Sequence, residues 1–498
     1  MQAEEQRRCA VARECGGCSQ VTTPYEQQLA AKDARVHELF ASDFPEADIR
    51  PILGMQNPYH YRNKVTSPFA PGKRTAGNTG AARNRDGKRR SRDKRPSHDK
   101  RSAASNSQST VILTGMYAAG THRLVQTDGC LVENQQAQQA IRAIRSIMMR
   151  HKIAPYNEDR GTGFVRHAVV RVGHESGEVL VTIVTNEDQF PSSKSFCREL
   201  VKRCPFITTI VQNVNMRQTN VILGEQERRL YGPGFILDTL CGLSFRISSR
   251  SFYQVNAVQT TVLYEQAVGF ALEGLTQDAG DDRTNDAALS AEPRKQAAGP
   301  CEQSAEPVQE SALSNGSRRH IEDTIDGKPC SQAEGMPPSA LRSQAEGTAP
   351  LTVLDAYCGT GTIGLVAAKR GAAQVIGVDS VESAISDARE NARHNGIDNA
   401  RFITADASDF MREAATAGER IDVVLMDPPR AGSTPEFIEA LAQLAPARVV
   451  YVSCNPETQV RDLRMFAQQG YTVRVVQPVD MFPHTDHIET VCLLAHNG

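Results

Sequence analysis

Apolar and polar positions change their period sharply near residue 350. From Leu351 onward the apolar runs TVLDAY, AQVIGVD, ARFITAD, IDVVLMD, RVVYVSC, YTVRVVQPVD and IETVCLLA are strand-like, and stretches of helical period such as SAISDARENARHN and PEFIEALAQL lie between them. Strands alternating with amphipathic helices predict a mostly parallel sheet covered on both faces. The last two runs are separated only by MFPHTDH, too few residues for a helical crossover. The pattern therefore predicts an α/β fold over residues 350–498: a doubly wound, Rossmann-like sheet of seven strands with the last one antiparallel.

Upstream the pattern is mixed. Gln135 to His151 has helical period, and HAVVRVG, EVLVTIVT, TTIVQNVN and NVILG alternate as strands do. A further helix is predicted from Ala257 to Leu272. Residues 34–274 thus read as an α+β domain, preceded by a cysteine-rich loop at 1–33. Residues 71–109 and 275–349 have no periodicity and too few apolar positions to bury a core, so they are expected to be disordered insertions.

Charge adds one local feature. The net charge is −2, but residues 73–101 hold twelve Lys/Arg against three Asp, so the remainder sums to −11. Any grip on an acidic partner such as RNA must be local, and this basic tract is one candidate for it. Residues 278–346 carry thirteen acids and seven bases. The first residues, MQAEEQRRCA, do not resemble a secretory signal, and no apolar stretch approaches a membrane span. A cytoplasmic protein without membrane association is expected, in a reducing compartment where thiols serve metals or catalysis.

Twelve cysteines make spacing decisive. Cys9, Cys15 and Cys18 fall in one tight glycine-bearing loop, and Cys130, beside an Asp-Gly turn, is the best fourth ligand. Four thiolates suit an iron-sulfur cluster or a structural zinc. Cys301 and Cys330 lie in the acidic insertion and are expected to have no role. Cys358 and Cys492 sit within apolar strand ends and read as packing residues.

Cys454 is different. An apolar strand runs out at YVSCNP, placing its thiol on the carboxyl edge of the sheet, where open α/β folds carry their chemistry. A helix starting at Pro456 is expected to lower the pKa of that thiol through its N-terminal dipole. The first strand ends in GTGTIG, with Asp379 at the next strand end, so a dinucleotide and S-adenosylmethionine both fit there. MDPPR places Asp427 before two prolines that stiffen the loop and give a planar base something to pack on. Glu489 enters the last strand beside a histidine-rich turn, either as a general base or as a paired carboxylate. Gln254, in SFYQVN, either serves a ligand or helps to cap the following helix.

Taken in order, the cysteine loop, YRNK, SFYQVN, LDAYCGTG, MDPPR, VSCNP and HIETV resemble the RNA uracil-5-methyltransferases, in particular their iron-sulfur branch acting on 23S ribosomal RNA. The resemblance implies a monomeric enzyme that binds RNA and methylates C5 of a uridine. By it, Cys454 attacks C6 of the ring, the methyl group comes from S-adenosylmethionine, and Glu489 removes the C5 proton. It implies cofactor contacts at Gln254, Tyr357, Asp379, Asp406 and Asp427, and a [4Fe-4S] cluster on Cys9, Cys15, Cys18 and Cys130. A transfer RNA uridine as substrate, methyl transfer to an exocyclic amino group, and a non-catalytic RNA-binding scaffold are the rival readings.

Overall fold

The computed structural model describes residues 8–72, 111–272 and 351–497. Most of the basic tract and all of the acidic insertion, with Cys301 and Cys330, lie outside the described residues.

The chain opens with the short helix α1 (Ala12–Cys15), then α2 (Tyr25–Ala41) and a two-residue strand β1 (Asp48–Ile49). The boundary expected after residue 33 falls inside α2. Val36 and Phe40 of that helix are fully buried in the same core as strands from the C-terminal third of the chain. The cysteine loop is thus continuous with a helix of the C-terminal core and not a body of its own.

A six-stranded sheet follows, built from β2 (Lys64–Gly72), β3 (Val111–Thr114), β6 (Val165–Val172), β7 (Val179–Thr185), β8 (Ile207–Val214) and β9 (Gln226–Tyr231), with the ribbon β4 (Met116–Tyr117) and β5 (Leu124–Val125) beside it. Its order is β3-β2-β6-β7-β8-β9. Helices α3 (Gln135–His151) and α4 (Ser193–Arg203) cover one face. α3 begins where the Asn134 side chain accepts from the backbone N–H groups of Gln136 and Ala137, and it buries a stripe of Ala137, Ile141, Ile144 and Met148.

Two expectations fail here. NVILG is not a strand: the Asn215 side chain donates to the carbonyls of Val221 and Ile222, and Asn213 clasps both backbone groups of Gly224. Side-chain amides thus take over a sheet ladder's work and hold 220–224 as a loop. The edge strand is instead β9, whose QERRLY sequence is exposed and has no apolar alternation to announce it. Pro71 and Gly72, assigned to the basic insertion, pair with Ile112 and Val111 in the β2–β3 ladder.

The hairpin β10 (Phe235–Leu240) and β11 (Leu243–Ser248) leads to α5 (Ala257–Leu272). The free edge of β11 meets asparagine side chains: Asn395 accepts from the Ser244 N–H and donates back to its carbonyl, and Asn391 accepts from the Arg246 N–H.

Both asparagines belong to the C-terminal third, which comprises β12 (Thr352–Ala356), α6 (Thr362–Lys369), β13 (Gln374–Asp379), α7 (Glu382–His394), β14 (Ala400–Thr404), α8 (Ala407–Ala417), β15 (Val423–Met426), α9 (Pro435–Leu444), β16 (Arg448–Ser453), α10 (Pro456–Gln468), β17 (Tyr471–Val479) and β18 (Glu489–His496). The sheet order is β1-β17-β18-β16-β15-β12-β13-β14. As expected, β18 is the antiparallel strand; it inserts between β16 and β17 and opposes both. The sheet has eight strands and not seven, because β1 pairs in parallel with β17 and covers its edge. Among the described residues no helix is long and apolar enough to cross a membrane.

Candidate active site

The carboxyl ends of β12, β13, β15 and β16 open into a cleft of about 610 Å³. The turn after β12 is tight: Tyr357, Gly359 and Gly361 all have positive φ, a conformation that glycine adopts freely and tyrosine only under constraint. Tyr357 is held there by stacking on Phe437, with ring centroids 5.2 Å apart. Asp379 accepts from the backbone N–H groups of Gly359 and Val381, which locks the end of β13 to this turn. Gln254 comes from the other side of the cleft, and Asn63 donates to its carbonyl at 3.1 Å. Its neighbour Asn256 supplies the cap of α5, accepting from the Gln259 N–H, so Gln254 itself is left facing the cleft.

Cys454 and Glu489 are brought together by register. Ser453 pairs with Thr490 in the antiparallel β16–β18 ladder, so one step further along sets Cys454 opposite Glu489. Only an antiparallel β18 delivers its first residue to the carboxyl edge of β16. Asp427, at the end of β15 on the other side of β16, lines the same cleft. The two loops are tied together: Asn455 and Thr458 donate to the Arg430 carbonyl, and Asp462, fully buried on α10, accepts from the Ser433 N–H and the Tyr451 hydroxyl.

The electrostatics correct one expectation. α10 does begin at Pro456, yet the Cys454 thiol is pushed up to about 11 and not down. Burial is the largest cause; the carboxylates of Glu489 and Asp427 add to it, and Arg430 opposes them. Withdrawal from water and two acids outweigh one helix end. Burial also raises Asp427 to about 7 and Asp355 to about 7, and it lifts Glu489 well above the carboxylate range, with Asp427 contributing. Among the described residues no Lys or Arg forms an ion pair with Glu489. Burial thus holds Asp355, Asp427 and Glu489 above the usual carboxylate range, and a cation entering the cleft favours their ionised forms.

Other sequence-derived residues fall differently. Asp406 is exposed, does not line the cleft, and caps α8 by accepting at Oδ1 from the Ser408 and Asp409 N–H groups. It lies close enough to Tyr357 to contribute to the raised pKa of that phenol, about 12. Cys358 is buried, as a packing residue should be, and also borders the cleft. Cys492 is buried within β18.

At the far end of the chain, Cys9, Cys15, Cys18 and Cys130 line one small cavity. Burial raises Cys18 to about 11 and Cys130 to about 12, with repulsion from neighbouring thiols adding to both. The donor set is purely thiol, which suits zinc or iron-sulfur chemistry. Among the described residues no three metal-ligand side chains are gathered closely enough to hold an ion as they stand.

The residues that sequence reading missed are those that connect these parts. The turn at 480–487, which leads into Glu489, is strapped by the segment just after Cys18. Lys32 donates to Asp480 at 2.6 Å, Tyr25 donates to the same carboxylate, Gln28 accepts from the His484 N–H, and the Gln20 N–H donates to the His484 carbonyl. No local pattern signals these contacts, because the partners lie more than 440 residues apart.

Comparison with known proteins agrees with this geometry. Residues 348–478 match a family model described as a methyltransferase domain. A relative from Halalkalibacterium halodurans, named an uncharacterized RNA methyltransferase, is 33% identical over 98% of this chain and 82% of its own length. One of the same description from Listeria monocytogenes is 33% identical over 98% of this chain and 83% of its own. Among solved structures, the Pyrococcus abyssi tRNA (uracil-54, C5)-methyltransferase in complex with S-adenosyl-L-homocysteine superposes with a TM-score of 0.62 at 23% identity, covering 96% of this chain and 86% of that one. With relatives this similar along nearly its whole length, the chain belongs to the RNA methyltransferase family.

Proposed function

We propose that the protein methylates C5 of a uridine in RNA with S-adenosylmethionine as methyl donor. The observation that carries this reading is the β16–β18 register, which sets a cysteine and a buried glutamate face to face beside Asp427. A thiol is what C5 chemistry on a pyrimidine requires, because C5 of the intact ring is a poor nucleophile.

The steps follow from these groups. Cys454 gives its proton to water and its sulfur bonds to C6 of the uracil; the C5–C6 π pair shifts to give an enolate that is nucleophilic at C5. C5 would then take the methyl group as the donor's methyl–sulfur bond breaks, its electron pair staying on sulfur to leave a neutral thioether. Glu489, as carboxylate, takes the C5 proton, the C6–sulfur bond breaks, and its electron pair returns to Cys454. S-adenosylmethionine would be held by Gln254, Tyr357, Asp379 and Asp427, with Asp406 acting from beside Tyr357, and it would supply the methyl group as an electrophile. Its sulfonium charge suits a cleft lined with acids whose pKa burial has raised, and its arrival favours their ionised forms. Reaching C5 requires the uridine to leave its stack, at roughly a few kcal/mol.

Transfer RNA is the substrate class first in line, supported by the substrate of the Pyrococcus enzyme. The 23S ribosomal RNA expected from the sequence stands second. The four thiols are proposed to hold a [4Fe-4S] cluster, on the chemistry of the donor set alone. The test is incubation of the full chain with transfer RNA and, separately, 23S ribosomal RNA from cells lacking its gene, followed by mapping of 5-methyluridine. Wild-type protein should methylate one of the two, and RNA carrying 5-fluorouridine should trap a covalent complex at Cys454. Turnover by Cys454→Ala would overturn the mechanism.

A further inference from the structure

A second cavity, of about 640 Å³, opens at the start of β6, in the central sheet and away from the methyl-transfer cleft. Its floor is polar and buried. Arg166 is 3% exposed and His167 8%, and Nε of the first and Nδ1 of the second have no hydrogen-bond partner. Buried polar atoms without partners are uncommon in folded proteins and mark places where a ligand or water completes the set.

The charge balance narrows the ligand. Arg166 donates through Nη1 to the carbonyls of Asn215 and Arg217, sits over the Tyr156 ring at 4.5 Å, and has Glu158 at 3.6 Å from Nη2. One cation and one carboxylate offset each other, so the floor offers donors and acceptors without net charge for a phosphate. Burial lowers His167 to about 4, so its ring is neutral and presents one donor and one acceptor nitrogen. The walls are suited to a flat apolar face: Tyr117 borders the cavity, and Val221 at its mouth is 58% exposed. A neutral hydrogen-bonding floor between apolar walls is how proteins take up an unstacked base.

Position supplies the occupant. Arg166 and Arg171 are five residues apart on β6, about 17 Å of extended chain. Arg171 donates to the Ser251 carbonyl just before Phe252, and its partner across the ladder is Lys64; Phe252 and Lys64 both line the methyl-transfer cleft. Strands β2 and β6 therefore run from one cavity to the other, within reach of a single RNA loop.

We propose that this cavity holds an unstacked nucleotide of the same RNA strand whose target uridine enters the cleft. The proposal rests on the cleft being the methyl-transfer site, and it assigns the β6 cavity the task of fixing which nucleotide arrives there. The test uses the full chain and a fluorescein-labelled single-stranded RNA of roughly 20 nucleotides containing 4-thiouridine. Asn220 and Val221 are exposed, so substituting them leaves the core intact. Asn220→Ala and Val221→Asp should each weaken RNA binding about tenfold, with S-adenosylmethionine affinity unchanged, and photocrosslinks should fall on residues 117–122 or 219–222 as well as on the cleft. RNA affinity within about twofold of wild type for both variants, or crosslinks confined to the cleft, would overturn it. Neither readout involves turnover, so failure here is separable from failure of the Cys454 mechanism.

Discussion

The cysteines at the two ends of this chain stand in different surroundings, and those surroundings, not the thiols themselves, separate the roles proposed for them. Cys454 stands at a strand end among Asp427, Glu489 and Arg430, in a cleft wide enough for a substrate. Cys9, Cys15, Cys18 and Cys130 face one another across a small cavity lined otherwise by residues such as Val11, Val21 and Leu131. Burial raises the pKa of Cys18, Cys130 and Cys454 alike. A raised thiol pKa is therefore no guide to role here; what each thiol is next to decides whether it can bond reversibly to carbon or is better suited to binding metal.

The sharpest way to break that contrast is to remove each kind of cysteine. Cys454→Ala should lower kcat by about a thousandfold or more, whereas Cys18→Ser should act mainly on metal content and folding. Equal loss of turnover from both, with the fold intact by circular dichroism, would erase the distinction. Glu489→Gln should lower kcat by about a hundredfold or more while letting a covalent RNA adduct build up, visible as a protein band shifted in a denaturing gel. Absence of the adduct would remove Glu489 from the role of base.

At the other end, protein purified without oxygen should be brown and contain iron and sulfide, with both lost in Cys15→Ser and Cys130→Ser. Colourless protein holding zinc would replace the cluster with a structural metal. A smaller effect concerns pH. Asp427 and Asp355 ordinarily titrate near 3.8 and are raised to about 7 by burial, so between these values the folded state binds more protons than the unfolded one. Stability contributed by these groups is therefore fully present below about pH 4 and is lost as pH rises through about 7. In a series of melting curves, Asp427→Asn should flatten that decline. The smallest expected change is in Arg430→Ala: this cation holds the Cys454 pKa down, so its loss should slow alkylation of that thiol by iodoacetamide about two- to threefold at mildly alkaline pH.

Parallel strands buried on both faces read as continuous apolar runs, which is why the seven strands after Leu351 were legible and why Cys454 and Asp427 could be placed on one edge. The antiparallel β18 was legible too, because MFPHTDH is too short for any other connection. Features decided by distant partners were not. β1 is two residues long and exists only because β17 lies beside it. Residues 220–224 carry strand-like side chains but are captured by Asn213 and Asn215. Asp462 looks like any helical acid until its place under Ser433 and Tyr451 is seen. The thiol pKa was misjudged because a helix dipole can be read locally, whereas burial and facing acids cannot.

The straps between the first helices and the turn at 480–487 also impose an order on how the protein comes into being. Lys32 and Gln28 are made long before the groups they hold, Asp480 and His484. Throughout translation the cysteine segment must therefore wait with a lysine whose buried carboxylate partner does not yet exist. The strand that brings Glu489 completes the sheet and, through the turn before it, closes the N-terminal fold in the same event. A chain cut short before that turn would lose Glu489 and, with it, the partners of Lys32, Tyr25 and Gln28. Glu489 and the partners of the opening helix arrive together.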